Sequence, residues 1–141
     1  MAKSKSDAGE VNWFEEDVIL KLDNITRRGL EAVAARIDAL TKLNIVANDQ
    51  VDTGFMVNSV YFVSRDQSTY LDDSGVQVNR EGNFVERQMA PEAPLPTEYT
   101  ALVCVGANYA IFQELDNAFL YPALVQAAGE AGGIIEKVAK E

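Results

Sequence analysis

Apolar residues recur at spacings of three and four along two stretches of the chain. The first stripe predicts one face of a long amphipathic helix, which begins near Asn12 and runs to about Ile45. Its members are Val18, Leu22, Ile25, Gly29, Val33, Ile37 and Leu40. The second predicts a C-terminal helix with Pro122 in its first turn. Its members are Leu124, Ala127, Ala128, Ala131, Ile135 and Val138.

Two segments alternate between apolar and other residues instead, as β-strands do. They cover residues 59–64 and residues 99–106. Residues 108–115 predict a short helical turn that points Tyr109 and Phe112 inward. The predicted fold is therefore α+β, with a long N-terminal helix and a C-terminal helix packed on a small, mostly antiparallel β-sheet.

Residues 67–97 interrupt this pattern with several Gly, Asp and Asn residues and a proline-rich run. Within them, GVQV and NFVE flank residues 79–82, which predict the tip of a β-hairpin. A stiff, extended proline-rich return follows the hairpin. The apolar residues of the insert are too many for a solvated loop, and they lie too far from the two-helix core to be buried fully by their own subunit. We therefore expect the insert to dock on a neighbouring subunit or ring. These residues are Tyr70, Leu71, Val76, Val78, Phe84, Val85 and Leu95. The alternative is a disordered insert.

The length of 141 residues fits one domain. Residues 1–10 are small, polar and charged, and we expect a flexible arm there, with a single domain over residues 11–141. We expect no signal peptide and no membrane span, because no apolar run of the necessary length is present. The single cysteine, Cys104, excludes an intrachain disulfide, and its apolar surroundings predict a buried core residue.

The charge and composition limit the possible chemistry. There are 22 acidic and 12 basic residues, a formal net charge of −10, which disfavours tight binding of nucleic acid. No histidine is present, so Ser-His and Cys-His nucleophiles and imidazole metal sites are excluded. We expect no cofactor and no metal.

The tripeptide Asp52-Thr53-Gly54 is spelled like the catalytic segment of aspartic proteases. In that chemistry two carboxylates share one proton, so a lone copy would have to act in a dimer. Here the preceding residues 48–50 follow a helix instead of a strand. The alternative is a turn in which Asp52 and Thr53 accept backbone N–H groups and cap a short helix, while Gly54 permits an unusual backbone conformation. We favour the turn and predict no catalytic residue.

Further motifs follow in a fixed order. Val51-Asp52-Thr53-Gly54 is followed by Met56 and Ser59 at the spacing V-D-T-G-x-L-x-x-S. Then come Val105-Gly106, Tyr109-Ala110, Glu114 and Phe119-Leu120-Tyr121-Pro122-Ala123. Over residues 13–140 this order resembles the small neck or tail-completion proteins of long-tailed double-stranded DNA phages. The chain departs from their pattern after Glu114, where Leu115-Asp116-Asn117 leads almost directly to Phe119.

The resemblance implies a structural virion protein that forms a ring, six copies being the expected number, at the neck or upper tail. It implies no reaction and no cofactor. The partners would be other copies of the chain and the neighbouring neck and tail-tube proteins, with DNA passing through the lumen without specific binding. The protein would be made in the host cytoplasm and reside in the virion. The alternatives are a tail-terminator ring, an aspartyl protease dimer that uses Asp52, and an accessory binding protein without a virion role.

Overall fold

The computed structural model of the protein describes the backbone of residues 5–141 and the side chains of residues 16–141. The strands follow one another between helices at the two ends of the chain, which confirms the predicted α+β class. In chain order they are α1 (Lys5–Ala47), α2 (Phe55–Asn58), β1 (Val60–Val63), β2 (Gly75–Val78), β3 (Phe84–Arg87), β4 (Leu102–Val105), α3 (Ala110–Asp116) and α4 (Leu120–Lys140).

The long helix starts earlier than the sequence pattern predicts. α1 begins at Lys5 instead of near Asn12, so residues 5–10 of the expected arm are helical, and residues 1–4 lie outside the described residues. The stretch before Asn12 contains no proline and only Gly9 as a strongly unfavourable residue. A helix that is already nucleated can therefore extend through it at little cost.

α1 and α4 form an antiparallel pair. At one end the Asn44 side chain donates a hydrogen bond of 3.0 Å to the carbonyl oxygen of Phe119, where α4 begins. At the other end Arg28 pairs with Glu141 at 2.8 Å. At 43 and 21 residues, the helices measure about 64 Å and about 32 Å. α1 therefore extends well beyond the end of α4.

This difference in length decides which apolar residues are buried. Ile37 and Leu40 pack with Ala123 and Ala127 where the helices overlap. Leu22, one of the predicted stripe, is 58% exposed because α4 ends beside Arg28 and leaves the earlier turns of α1 uncovered. The buried side of α4 is also rotated slightly from the predicted one. It comprises Ala123, Ala127 and Val138, while Leu124 and Ile135 of the predicted stripe are exposed.

The strands form two separate two-stranded antiparallel sheets instead of one. β1 pairs with β4, with Val60 opposite Val105. β2 pairs with β3, with Val78 opposite Phe84, which confirms the predicted hairpin. Its tip spans residues 79–83 and uses Gly82 at a φ of 82°.

β1 is buried along its whole length, because the two sides of the sheet are covered by different parts of the chain. α1 covers one face of β1. On the other face the Tyr61 ring makes an edge contact with Tyr70 at 5.0 Å, and the Tyr61 hydroxyl oxygen accepts the Ala93 N–H at 3.0 Å. Part of the insert is thus an integral layer of the subunit core.

Candidate functional site

The DTG segment forms a tight turn between α1 and α2. Gly54 has a φ of 84°, a conformation in which a residue with a side chain would be strained. Thr53 Oγ1 accepts the Phe55 N–H at 3.1 Å, and the Gly54 carbonyl oxygen accepts the Asn58 N–H at 3.0 Å. Thr53 and Gly54 therefore start the short helix α2.

Asp52 has a different role from the one expected, because it does not cap α2. One carboxylate oxygen accepts the backbone N–H of Arg80 at 3.0 Å, and the other pairs with the Arg87 guanidinium at 2.9 Å. The hairpin returns over the turn and offers both donors. Hydrogen bonds from a guanidinium and a free N–H stabilise a carboxylate more than the capping position alone does. Asp52 therefore fastens the β2–β3 hairpin to the body of the subunit.

Arg87 extends this anchor toward α3. Its guanidinium carbon lies 5.0 Å from the centre of the Tyr109 ring, at cation–π distance. Tyr109 also packs against Phe55, with ring centres 6.4 Å apart, and burial raises the pKa of its phenol. Within the described residues, the buried Nε of Arg87 has no hydrogen-bond partner.

Beside this anchor lies an open cleft of about 430 Å³. It is lined by Asp49, Gln50, Val51, Asp52, Arg80, Arg87, Tyr109 and Gln113. Asp49 pairs with the Arg80 guanidinium at 2.6 Å, and this hydrogen bond lowers the pKa of Asp49. Each aspartate of the cleft thus faces an arginine, in contrast to the paired carboxylates of acid proteases.

Two amide side chains connect the same turn to the α3–α4 junction. Asn48 Nδ2 donates to the carbonyl oxygen of Ala118 at 3.0 Å. Gln50 Nε2 donates to the carbonyl oxygens of Asn117 at 3.0 Å and Gln113 at 3.2 Å. Residues 48–52 therefore hold the hairpin on one side and the helical body on the other.

Ser59 and Gly106 meet in the core although they lie far apart in the sequence. The Ser59 hydroxyl donates to the Met56 carbonyl oxygen at 2.7 Å and accepts the Ala107 N–H at 3.0 Å. The Gly106 N–H donates to the Ser59 carbonyl oxygen at 2.9 Å. A Cβ at Gly106 would overlap the terminal methyl of Met89 and lie 3.3 Å from the Ser59 carbonyl oxygen. A side chain at this position would therefore have to displace the Met89 methyl and press on the Ser59 carbonyl oxygen, so the close approach of the two segments favours glycine.

Glu114 caps α4 from the preceding helix. Its carboxylate oxygens accept the N–H groups of Phe119 at 3.0 Å, Leu120 at 2.9 Å and Tyr121 at 3.2 Å. Pro122 follows directly, in the first turn, where a missing N–H costs little. The sequence offered a signal for this cap, an acidic residue shortly before a helix that begins without its own capping side chain.

Two core predictions need correction. Phe112 was expected to point inward but is 70% exposed, because α3 turns its Ala110 side toward the core. Cys104 is half-buried instead of fully buried. Burial raises the pKa of its thiol, and burial also raises the pKa of the neighbouring Tyr61 to about 12.

The structure divides the predicted interface residues of the insert into two groups. Tyr70 and Leu95 pack against the main core of their own subunit, so the expectation that they lie too far from it is wrong. Val85 is half-buried on the inner face of the hairpin. The others are exposed: Leu71, Val76, Val78 and Phe84. The strand register places Val76, Val78 and Phe84 on the same, outer face of the hairpin, where Glu86 lies opposite Val76.

No protein-family model, curated protein or solved structure matches the chain. Over the residues described, no helix is both long and apolar enough to cross a membrane. Nor do His, Cys, Asp or Glu side chains in that part of the chain gather in a group that could hold a metal ion. What bears on the function is therefore the order of the sequence motifs together with the contacts and exposed surfaces of the side chains.

Proposed function

We propose that the protein is a structural subunit of a ring at the neck or upper tail of a phage particle and catalyses no reaction. The observation that carries this proposal is the outer face of the β2–β3 hairpin. Val76, Val78 and Phe84 are 68%, 51% and 79% exposed there. The Asp52–Arg87 pair holds this apolar face in a defined position. A surface of this kind marks a site of protein–protein contact.

The contacts of the phage-like motif residues also support a structural role. Asp52 anchors the hairpin, and Ser59 and Gly106 join two core segments. Glu114 caps α4 ahead of Pro122. Each motif residue thus has a packing or hydrogen-bonding task that a rigid assembly unit needs.

The charge of the chain fits a channel through which DNA slides. A ring of six copies would carry about −60 formal charges, six times the −10 of one chain, reduced by screening. The DNA-facing surface is proposed to be acidic or neutral, so that duplex DNA passes without specific binding. The ring would complete one structure so that the neighbouring neck or tail-tube proteins can dock.

A tail-terminator ring is the nearest alternative, since the same surfaces would serve it. An aspartyl protease dimer is disfavoured because Asp52 binds a guanidinium and a backbone N–H. A protease would need the carboxylate free to share a proton with a second one.

The proposal is tested on the purified protein and on phage particles from a host that carries the gene. Electron microscopy should show annular oligomers, and mass spectrometry should find the protein in the particles. Replacing residues 75–87 with a short Gly-Ser linker keeps Tyr70, Met89 and Leu95 in the core and should give a folded monomer. Absence from particles would refute the virion role, and acid peptidase activity lost in Asp52→Asn would favour the protease.

A further inference from the structure

One edge of the β1–β4 sheet is closed by the chain itself. Thr69 lies along the outer side of β1, where its N–H donates to the Phe62 carbonyl oxygen at 3.0 Å and its Oγ1 accepts the Phe62 N–H at 2.9 Å. The Ser64 N–H donates to the Gln67 carbonyl oxygen at 2.7 Å. These bonds block a further strand from pairing with this side at Phe62 and Ser64.

The opposite edge, formed by β4, is open. The Gly106 N–H donates to the Ser59 carbonyl oxygen. Two residues earlier in the chain, Cys104 of β4 lies opposite Tyr61 of β1. In an antiparallel ladder alternate residues bond to the partner strand, so the N–H and C=O groups of Val103 and Val105 point away from β1. Among the described residues these groups have no hydrogen-bond partner. An open edge of this kind is a template for another strand.

An apolar groove runs beside the open edge. A hollow of about 240 Å³ is bounded by Val105, Ala110, Ile111, Glu114, Phe119 and Leu120. Leu115 lies one helical turn beyond Ile111, and Leu124 lies one turn beyond Leu120. These two leucines are 79% and 51% exposed. A strand paired with β4 would therefore find an apolar surface ready for one of its faces.

The hairpin of the same subunit is held away from this groove. Tyr109 and Gln113 line the cleft beside the hairpin, whereas Ile111 and Glu114 line the hollow next to β4. At 100° per residue these two pairs lie on opposite sides of α3. The apolar hairpin face and the open edge are thus on different sides of one subunit, and only a second copy can bring them together.

We propose that the β2–β3 hairpin of one subunit pairs with the β4 edge of a second copy and places Val76, Val78 and Phe84 against the groove between α3 and α4. The inference rests on the ring of the proposed function and specifies its joint, which is the contact between two neighbouring subunits. Donor and acceptor are different surfaces, so the contact is head-to-tail, which is the arrangement that closes into rings.

The exposed apolar area supplies about half of the surface that a specific contact needs. The exposed parts of six side chains amount to roughly 800 Å², about half of a standard interface of about 1,600 Å². They are Val76, Val78 and Phe84 on the hairpin and Ile111, Leu115 and Leu124 beside the edge. Apolar atoms make up about 56–65% of protein interfaces, and backbone pairing would supply much of the polar remainder.

Two variants separate the two sides of the joint. Val105→Pro removes the outward N–H without touching the ladder to β1, and Val105→Ala is its control because it shortens the side chain and keeps the N–H. Phe84→Asp places a charge on the hairpin face. Its control is Leu43→Asp, the same kind of change at a residue of α1 that is 60% exposed and lies outside both surfaces.

Light scattering coupled to size exclusion should give monomers for Val105→Pro and Phe84→Asp and wild-type rings for both controls. In a mixture of the two defective variants, one intact contact can form. The Phe84→Asp subunit keeps its β4 edge, and the Val105→Pro subunit keeps the hairpin that pairs with it. The mixture should therefore form a one-to-one dimer of twice the 15.4 kDa subunit mass. Monomers only, or full rings, in the mixture would overturn the head-to-tail joint.

Amide hydrogen exchange in the wild-type protein provides a test that needs no variant. The N–H groups of Val103 and Val105 should exchange roughly tenfold or more slowly in the assembled protein than in Phe84→Asp. Equal exchange would overturn the proposal. Rings that persist in Phe84→Asp would leave the proposed function standing and refute this joint. A wild-type protein that stays monomeric at millimolar concentration would refute both.

Discussion

Replacement of Asp52 tests whether this residue anchors the hairpin. Its carboxylate makes two bonds, to the Arg80 N–H at 3.0 Å and to the Arg87 guanidinium at 2.9 Å. Asp52→Ala removes both, and it leaves a guanidinium that is only 23% exposed without its counter-charge. Asp52→Asn keeps one acceptor oxygen but loses the charge. The two variants should therefore weaken the anchor to different degrees.

The magnitude follows from the contacts. A hydrogen bond to a charged group contributes about 1.5–3 kcal/mol. Since the Asp52 side chain is 44% exposed, solvent screening places the cost near the lower end of that range. We expect Asp52→Ala to lower the free energy of unfolding by about 1.5–2 kcal/mol and Asp52→Asn by about 1 kcal/mol. At about 1.5–2 kcal/mol/M of urea, the midpoint for Ala falls by about 1 M.

Urea unfolding measures the total loss of stability, and amide hydrogen exchange shows which elements lose protection. Protection should fall in β2 and β3 and persist in α1 and α4, because the anchor joins the hairpin to the body. Asp49→Asn is the matched control, since Asp49 also pairs with the hairpin but is 82% exposed, and it should change little. If protection is lost in α2 instead of the hairpin, Asp52 acts as a helix cap and the reasoning is wrong.

Three further predictions concern the core and the cap. Gly106→Ala should destabilise the fold by about 1–3 kcal/mol through overlap with Met89. In a double-mutant cycle with Met89→Ala the two costs should be less than additive, and strict additivity would contradict the overlap. Glu114→Ala should cost about 1–2 kcal/mol in urea unfolding and Glu114→Gln less, and equal costs would argue against a charged cap. Burial raises the pKa of Tyr61 from 10.0 to about 12, so the folded state holds this proton more tightly than the unfolded state. This contribution to stability is complete below pH 10 and is lost as the pH rises toward 12, measured by unfolding across that range. Tyr61→Phe should remove this loss.

The elements could be predicted from the sequence where the signal is local. The alternation in residues 59–64 and the turn residues after Val78 depend only on near neighbours, and both gave the observed strands and hairpin. The α1 pattern was predicted along most of its length for the same reason. Its start was misplaced because Asn12 resembles a cap, whereas helix continuation through Lys5 costs little.

The site could not be predicted where it depends on distant partners. The partners of Asp52 lie 28 and 35 residues away, and no pattern around the turn indicates them. Leu22 and Leu124 belong to the predicted stripes because periodicity shows which residues share a face. It does not show how far the neighbouring element extends to cover that face. For the same reason the sequence does not distinguish Tyr70, which is packed inside, from Leu71, which is exposed.

Residues 48–52 hold the two parts of the subunit with bonds of different sensitivity to salt. Toward the α3–α4 junction they use the neutral amides of Asn48 and Gln50. Toward the hairpin they use the carboxylates of Asp49 and Asp52. At 1 M salt the screening length is about 3 Å, so the ionic side weakens while the amide side is almost unaffected. Concentrated salt should therefore loosen the hairpin from a helical body that stays folded. In the proposed ring, a subunit built in this way would release its neighbour without losing its own structure.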